Sequence, residues 1–238
     1  MTMSSYREKK EAELYEHLKK STNDEEVAPK QKHVRCTPFG SLSPLGCILY
    51  TWDHATCKPV WDGLKGQPIL SNGLMCFKAL VVIHKMLLDG PHIVLSESLN
   101  EVEYLDSLCR QSQYSNSVYG YLSLIQPYVV YLKAKLAFHK IYPEFNGKFD
   151  FKEYISRKGD DSINHSYGVI WDLLDLLSHI LRLQHLIGSA FRGSRDQTCL
   201  QGALIPLVEE SDGIYKFATK ILEAMFTGMV CLIPLSSR

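Results

Sequence analysis

The sequence predicts an all-α protein in which consecutive antiparallel helices stack as an α-solenoid. Several long stretches place apolar residues three and four positions apart, which is the spacing that lines one face of a helix. Short segments with proline or glycine separate these stretches, and the alternating pattern of a β-strand is scarce. Helices joined by short loops pack as antiparallel neighbours, although no clean sequence repeat is visible.

The composition is typical of one soluble globular domain in a reducing compartment. The 238 residues are 45% hydrophobic and 22% charged, which is enough for one sizeable core. A formal net charge of zero gives no overall attraction to nucleic acid or membranes, so any anion site must be a local cluster. Seven scattered cysteines argue against a disulfide framework or a zinc site. We find no signal-peptide pattern, and no apolar run reaches the ~20 residues of a spanning helix.

The first part of the chain should hold two helices. Residues 6–20 are charged, with Leu14 and Leu18 one turn apart on an inward face. Thr22-Asn-Asp-Glu25 has the capping-box pattern of a second helix start. Pro29 breaks or restarts that helix, because proline is tolerated in a first turn but not inside. The residues after Pro29 should therefore lie at a helix N-terminus, where backbone N–H groups and the dipole favour phosphate.

Four side chains in this stretch form a candidate phosphate site, open at the surface. They are Lys20, Lys30, Lys32 and His33. Lys30 and Lys32 would contact phosphates as point charges. His33 would donate to a phosphate, more effectively when protonated. Lys20 would close the site from the end of the preceding helix. By charge alone, a solvated loop is the simpler interpretation.

The spacing of these residues resembles the phosphoinositide-binding motif of the ANTH family. That motif runs Lys, a small residue and Thr, then six residues, then Pro-Lys-x-Lys-His. The match is Lys20-Ser21-Thr22, six residues, and Pro29-Lys30-Gln31-Lys32-His33, with Ser21 in place of the usual alanine. Agreement over fourteen positions favours a phosphoinositide site over a solvated loop. Lys19 and Arg35 would add general attraction to an anionic leaflet, worth about 1 kcal/mol per basic residue.

The middle of the chain predicts a buried helix with shorter helices around it. Residues 47–54 and 58–66 read as short helices. Residues 74–88 would form a helix that is apolar on nearly every face, apart from Lys78 and Lys85 on one side. Gly90-Pro91 should end this helix. This segment should be the central helix of the domain.

The second half predicts further helices, most of them with one apolar stripe. The expected ranges are 94–110, 117–141 with a kink at Pro127, 166–191, and 199–227 as one or two helices, with a short helix or turn at 150–157. The residues expected to face inward are Leu95, Leu99 and Leu105; Leu122, Ile125, Val129, Leu132 and Leu136; Ile170, Leu173, Leu177 and Ile180; and Leu200, Leu204, Leu207, Ile214, Phe217, Ile221 and Met225. Trp52, Trp61 and Trp171 are expected to pack in the core.

Two segments depart from the family pattern, which otherwise covers residues 5–227. Residues 36–46 carry no charge, two prolines and two glycines, so they cannot continue a helix. Relatives run almost directly from the motif into the segment Tyr50-Thr-Trp-Asp-His54, which is similar to the fungal branch of the Huntingtin-interacting-protein family. We interpret residues 36–46 as a non-family insertion, from a translated intron or altered exon boundary, or else as a tolerated surface loop. Residues 228–238 read as a non-family tail.

The resemblance implies a fold and a function. The fold would be a right-handed superhelical α-solenoid of roughly eight to ten helices. The function would be that of an adaptor module, binding phosphatidylinositol 4,5-bisphosphate on the inner face of the plasma membrane. It would act in clathrin-mediated endocytosis and its coupling to the actin cytoskeleton, with clathrin, epsin-type adaptors and actin as partners of the family. Their coiled-coil and actin-binding regions are absent from this chain. The alternative is a helical protein-interaction scaffold whose lipid site the insertion disables.

No other motif predicts chemistry, so we expect no enzyme, cofactor, metal site or nucleic-acid partner. The segment from Tyr142 to Glu153 imitates half of a calcium loop, but Tyr142 stands where calcium needs an oxygen ligand, which favours a structural turn. Five other histidines lack convincing ligand spacing and are expected to be core or surface residues: His54, His84, His139, His179 and His185. No context supports a Cys-His nucleophile, and no glycine-rich phosphate loop is present.

Overall fold

The computed structural model describes residues 3–30, 46–112, 120–158, 166–191 and 197–232, and these residues form helices with no strand among them. The helices are α1 (Met3–Ser21), α2 (Cys47–His54), α3 (Lys58–Lys65), α4 (Gly73–Asp89), α5 (His92–Ser98), α6 (Val102–Ser112), α7 (Leu122–Ile141), α8 (Phe151–Lys158), α9 (Ser166–Ala190) and α10 (Thr198–Leu232). Short 3-10 helices lie at Ile69–Ser71 and Leu99–Glu101. The all-α prediction is confirmed.

Helix α4 is the centre of the fold, as its apolar sequence predicts. It packs against α1, α2, α5, α7 and α10, and nearly every side chain from Cys76 to Leu88 is buried. The Asn72 side chain caps its start by accepting a hydrogen bond from the Leu74 N–H at 2.8 Å, and Gly90 follows its end. A helix buried on all sides can place residues against several neighbours at once, which matters for the site below.

The apolar stripes of the later helices face the core as expected. Ile125, Val129, Leu132 and Leu136 of α7 are buried, whereas Leu122 is partly exposed. In α9, Ile170, Leu173 and Ile180 are buried and Leu177 is partly buried. In α10, Leu204 is partly buried and the fully buried residues are Leu200, Leu207, Ile214, Phe217 and Ile221. Spacing by three and four residues thus located the buried face of each helix.

Two boundaries differ from the sequence-based ranges. The helix predicted over 94–110 is divided by the 3-10 turn into α5 and α6. At this break, the Glu97 carboxylate accepts a hydrogen bond from the Cys57 N–H at 2.7 Å, and Ser98 accepts one from the Trp61 indole at 3.1 Å. The final segment is one helix despite Pro206, and it continues to Leu232. The predicted start of the α7 segment lies among residues 113–119, outside the described part.

The core prediction is correct for one tryptophan and wrong for two. Trp61 is 1% exposed, whereas Trp52 is 58% exposed and Trp171 is 67% exposed. Trp52 lies on the outer face of α2 and its indole N–H donates to the Asp89 carbonyl at 2.9 Å. Each of these helices buries only one face, so an aromatic residue out of phase with the buried stripe remains at the surface. Across the described ranges, no helix combines the length and apolar character needed to cross a bilayer.

Candidate functional site

The candidate site begins where α1 ends. Lys19 and Lys20 lie in its last turn, where positive charge interacts favourably with the helix dipole. Both are exposed, and the Lys20 ammonium lies 3.6 Å from the Glu16 carboxylate. Such a surface pair is worth little, so Lys20 can exchange it for another anion at small cost.

Thr22 ends this helix instead of starting the next, so the capping-box prediction for residues 22–25 is wrong. Its backbone N–H donates to the Leu18 carbonyl at 3.0 Å. Its buried hydroxyl contacts the same carbonyl at 2.8 Å and the Gln67 side-chain oxygen at 2.5 Å. The hydroxyl is therefore engaged by the preceding turn and by a distant residue, and residues 23–30 form a non-helical loop.

Lys78 of α4 holds this loop from below. Its side chain is 1% exposed, and its ammonium donates to the Asn23 carbonyl at 3.0 Å, to the Glu25 carbonyl at 3.2 Å and to the Asn23 side-chain oxygen. Burial lowers the pKa of Lys78, and the nearby carboxylates of Glu25 and Asp24 partly oppose this. No sequence motif predicted this role for Lys78. A lysine within an apolar helix was the available signal, because lysine is rarely buried without partners.

A surface cavity of about 240 Å³ lies beside the loop. Its lining residues are Lys20, Asn23, Glu25, Val27, Ala28, Lys30 and Lys78. The structure thus brings together Lys20 and Lys30, two of the predicted residues, with both side chains exposed. Lys32, His33 and Arg35 lie outside the described residues, as do 36–45 of the proposed insertion. The described part of the cavity offers two accessible ammonium groups for an anionic ligand.

A second polar cluster is sealed in the core between α4, α7 and α10. The Glu210 carboxylate lies 2.9 Å from both the Lys135 ammonium and the His84 Nε2, and the Tyr131 hydroxyl donates to it at 2.5 Å. Burial opposes its ionisation, but Lys135 and the hydrogen bonds from His84 and Tyr131 outweigh burial and bring the pKa of Glu210 down to about 2. Burial lowers the pKa of His84. Because these side chains are 0% exposed, they stabilise the fold and cannot reach a ligand.

The segment that imitates a calcium loop is a hydrogen-bonded turn. The Asn146 side-chain oxygen accepts from the backbone N–H groups of Lys148 at 3.1 Å and Asp150 at 3.0 Å. Lys135 also donates to the Gly147 carbonyl at 2.9 Å. Among the described residues, no group of three or more His, Cys, Asp or Glu side chains is arranged to hold a metal ion.

Comparison with known proteins finds one family, with two fungal proteins among the relatives. The ANTH domain model matches residues 13–230. The endocytosis protein end4 of Schizosaccharomyces pombe is 42% identical over 217 residues, covering 91% of this chain and 19% of that protein. Protein SLA2 of Saccharomyces cerevisiae is 36% identical over 236 residues, covering 96% of this chain and 23% of that protein. The chain therefore spans about a fifth of the length of these relatives.

Two solved structures share the fold. One is described as the ENTH domain from epsin-2 in complex with phosphatidylinositol 4,5-bisphosphate; it aligns with a TM-score of 0.83 at 45% identity, over 95% of this chain and 82% of that chain. The other is the endocytic adaptor complex AENTH, with a TM-score of 0.79 at 36% identity, over 94% of this chain and 85% of that chain.

Proposed function

The chain belongs to the ANTH domain family, and from this premise we propose that it is a membrane adaptor module that binds phosphatidylinositol 4,5-bisphosphate. It acts in clathrin-mediated endocytosis and in coupling that process to the actin cytoskeleton, as a cytoplasmic protein peripheral on the inner face of the plasma membrane. The observation that carries the proposal is the cavity at the end of α1, where Lys20 and Lys30 of the lipid motif line the same surface. The fold shared with a lipid-bound ENTH domain supports the same role.

Recognition is electrostatic and requires no catalytic group. A headgroup with two ring phosphates carries several negative charges, and the exposed ammonium groups of Lys20 and Lys30 attract them. By their place in the lipid motif, Lys32 and His33 belong to the same proposed site, and Lys19 and Arg35 would add attraction to the surrounding anionic leaflet. Interactions between exposed charges are screened over about 8–10 Å at physiological ionic strength, so binding should weaken as salt is added.

Vesicle sedimentation tests the proposal. The chain should sediment with phosphatidylcholine vesicles that contain phosphatidylinositol 4,5-bisphosphate and remain in the supernatant with pure phosphatidylcholine. Replacing Lys30 and Lys32 by glutamate should abolish sedimentation while the helical circular dichroism stays unchanged, because the reversed charges repel the phosphates.

A matched control carries the same total charge change elsewhere. Lys140 of α7 and Lys152 of α8 are both exposed. The variant Lys140→Glu with Lys152→Glu should retain most of the binding. Equal binding by the two double variants would contradict the assigned site, and equal sedimentation with both vesicle types would contradict the function.

The clathrin, epsin-type adaptor and actin partners belong to the same proposal. We infer them from family membership. They stay part of the proposal because the relatives are several times longer than this chain. A pull-down of the chain with an epsin-type ENTH domain, with and without vesicles that carry the bisphosphate lipid, tests the adaptor partner. Absence of association under both conditions would restrict the chain to lipid binding.

A further inference from the structure

The loop that carries the candidate site lies directly against α10. Gly202 is buried on this helix at the point where it meets Ala28. A Cβ atom added to Gly202 would stand 2.9 Å from the Ala28 Cβ and 3.8 Å from the Ala28 Cα. Carbon atoms pack best at about 3.5–4.0 Å, so a side chain at position 202 would force the two segments apart.

The same loop is fixed from other helices at nearly every second residue. Lys78 of α4 binds the backbone oxygens of Asn23 and Glu25 at 3.0 and 3.2 Å. The Tyr121 hydroxyl donates to the Glu26 carboxylate at 2.9 Å. Contact with Gly202 then holds Ala28, and Pro29 behind it is buried.

These contacts determine where Lys30 stands relative to Lys20. Lys20 belongs to α1, whereas Lys30 follows Ala28 by two residues and is joined to it through a proline with a fixed φ angle. A methyl group on Gly202 could not turn away from Ala28, because both Cβ atoms are attached rigidly to their backbones. The strain would move Ala28, and Pro29 would transmit the movement to Lys30.

We infer that Gly202 is a positioning residue for the anion site: the absence of a side chain lets α10 seat Ala28 and hold Lys30 opposite Lys20 before a ligand arrives. The inference rests on the proposed lipid binding and adds a helix from the other end of the chain to the site. A site ordered in advance avoids the cost of immobilising loop and side chains on binding, which is about 0.5–1.5 kcal/mol per side chain.

The test is a size exchange between the two contacting residues. Gly202→Ala should weaken binding to vesicles with phosphatidylinositol 4,5-bisphosphate by roughly three- to tenfold, as expected if one loop side chain must be reordered. Ala28→Gly returns the lost space, so the double variant should bind as Ala28→Gly alone does. Gly188→Ala is the matched control, because Gly188 is exposed on α9 and an added Cβ meets nothing within 4 Å.

Two further measurements separate this inference from the proposed function and from simple destabilisation. Amide hydrogen exchange in residues 22–30, measured without lipid, should accelerate in Gly202→Ala and recover in the double variant. The melting temperature should fall little, because alanine has a higher helix propensity than glycine, which partly offsets the strain. If Gly202→Ala does not fold, recovery of folding by Ala28→Gly supports the contact and failure to recover refutes it.

The outcomes are distinct. If the parent chain binds the lipid and Gly202→Ala binds as well as Gly188→Ala, the positioning role is refuted while the proposed function stands. If the parent chain does not bind the lipid, the proposed function fails. Amide hydrogen exchange in residues 22–30 still decides whether Gly202 holds Ala28 in place. An amide hydrogen exchange rate in residues 22–30 that is the same in Gly202→Ala as in the parent chain overturns the inference.

Discussion

Among the described residues, two lysine side chains are buried, and their partners differ in kind. Lys78 is 1% exposed and Lys135 is 0% exposed. Lys78 donates to two carbonyls and one amide oxygen of the loop at residues 22–30, all of them neutral groups. Lys135 lies 2.9 Å from the Glu210 carboxylate and also donates to the Gly147 carbonyl. Burial lowers the pKa of both lysines.

The kind of partner indicates what each lysine stabilises. The Glu210 carboxylate of α10 pairs with Lys135 of α7, so this ion pair joins two helices of the core and contributes to the stability of the whole domain. The Lys78 ammonium donates to the carbonyls of Asn23 and Glu25, so its contacts support the shape of a surface loop beside the candidate site. Removing one partner of a buried ion pair leaves an uncompensated charge, whereas removing a donor to neutral oxygens leaves only unpaired dipoles. The first loss should mainly reduce stability and the second should mainly reduce binding.

The largest effect is expected for Glu210→Gln. The change leaves Lys135 buried without a carboxylate and should lower the free energy of unfolding by about 3–5 kcal/mol, measured by urea denaturation. Asp212→Asn on the same helix is the control, because its pair with Lys216 is exposed and worth at most about 0.5 kcal/mol. Molecules of Glu210→Gln that remain folded should still bind vesicles. If Glu210→Gln loses more free energy of vesicle binding than free energy of unfolding, the two lysines do not differ in the way proposed.

The pH dependence of stability should identify the same carboxylate. The pKa of Glu210 is about 2 in the folded protein and has an ordinary value of 4.5, so the folded state binds fewer protons between these limits. Its contribution, about 3 kcal/mol, is complete above pH 4.5 and is lost as the pH falls toward 2. The difference in unfolding free energy between the parent chain and Glu210→Gln should shrink over this range. A constant difference from pH 5 to pH 2 would contradict the pairing.

A smaller stability effect and a larger binding effect are expected for Lys78→Met. Methionine fills similar space but removes the ammonium donor from three loop oxygens, of which the Glu25 carbonyl keeps the Val27 N–H, and this should cost about 1–3 kcal/mol of unfolding free energy. Vesicle binding should fall more than in Glu210→Gln, because the loop between Lys20 and Lys30 loses its support. Lys133→Met is the control, since that lysine is partly exposed and pairs with Asp106 near the surface. Intact binding in Lys78→Met would show that the loop keeps its shape without this contact.

Short-range patterns predicted most of the fold and part of the site. The spacing of apolar residues located most of the described helices and most inward faces, because a helix turns once in 3.6 residues whatever its neighbours are. The motif spacing placed Lys20 and Lys30 together, and the structure lines one cavity with both. These properties depend on residues close in sequence, so the sequence alone determined them.

Contacts between distant residues decided the rest. The hydroxyl of Thr22 meets Gln67, which lies 45 positions away, so a capping-box pattern became a helix end. Lys78 meets Asn23 across 55 positions, and Gly202 meets Ala28 from the last helix. Trp52 and Trp171 are exposed because the phase of each helix against its neighbours, and not residue type, determines burial. A buried donor or a missing side chain acquires its role only when folding supplies the group that it contacts, and that group lies beyond the range of any local pattern.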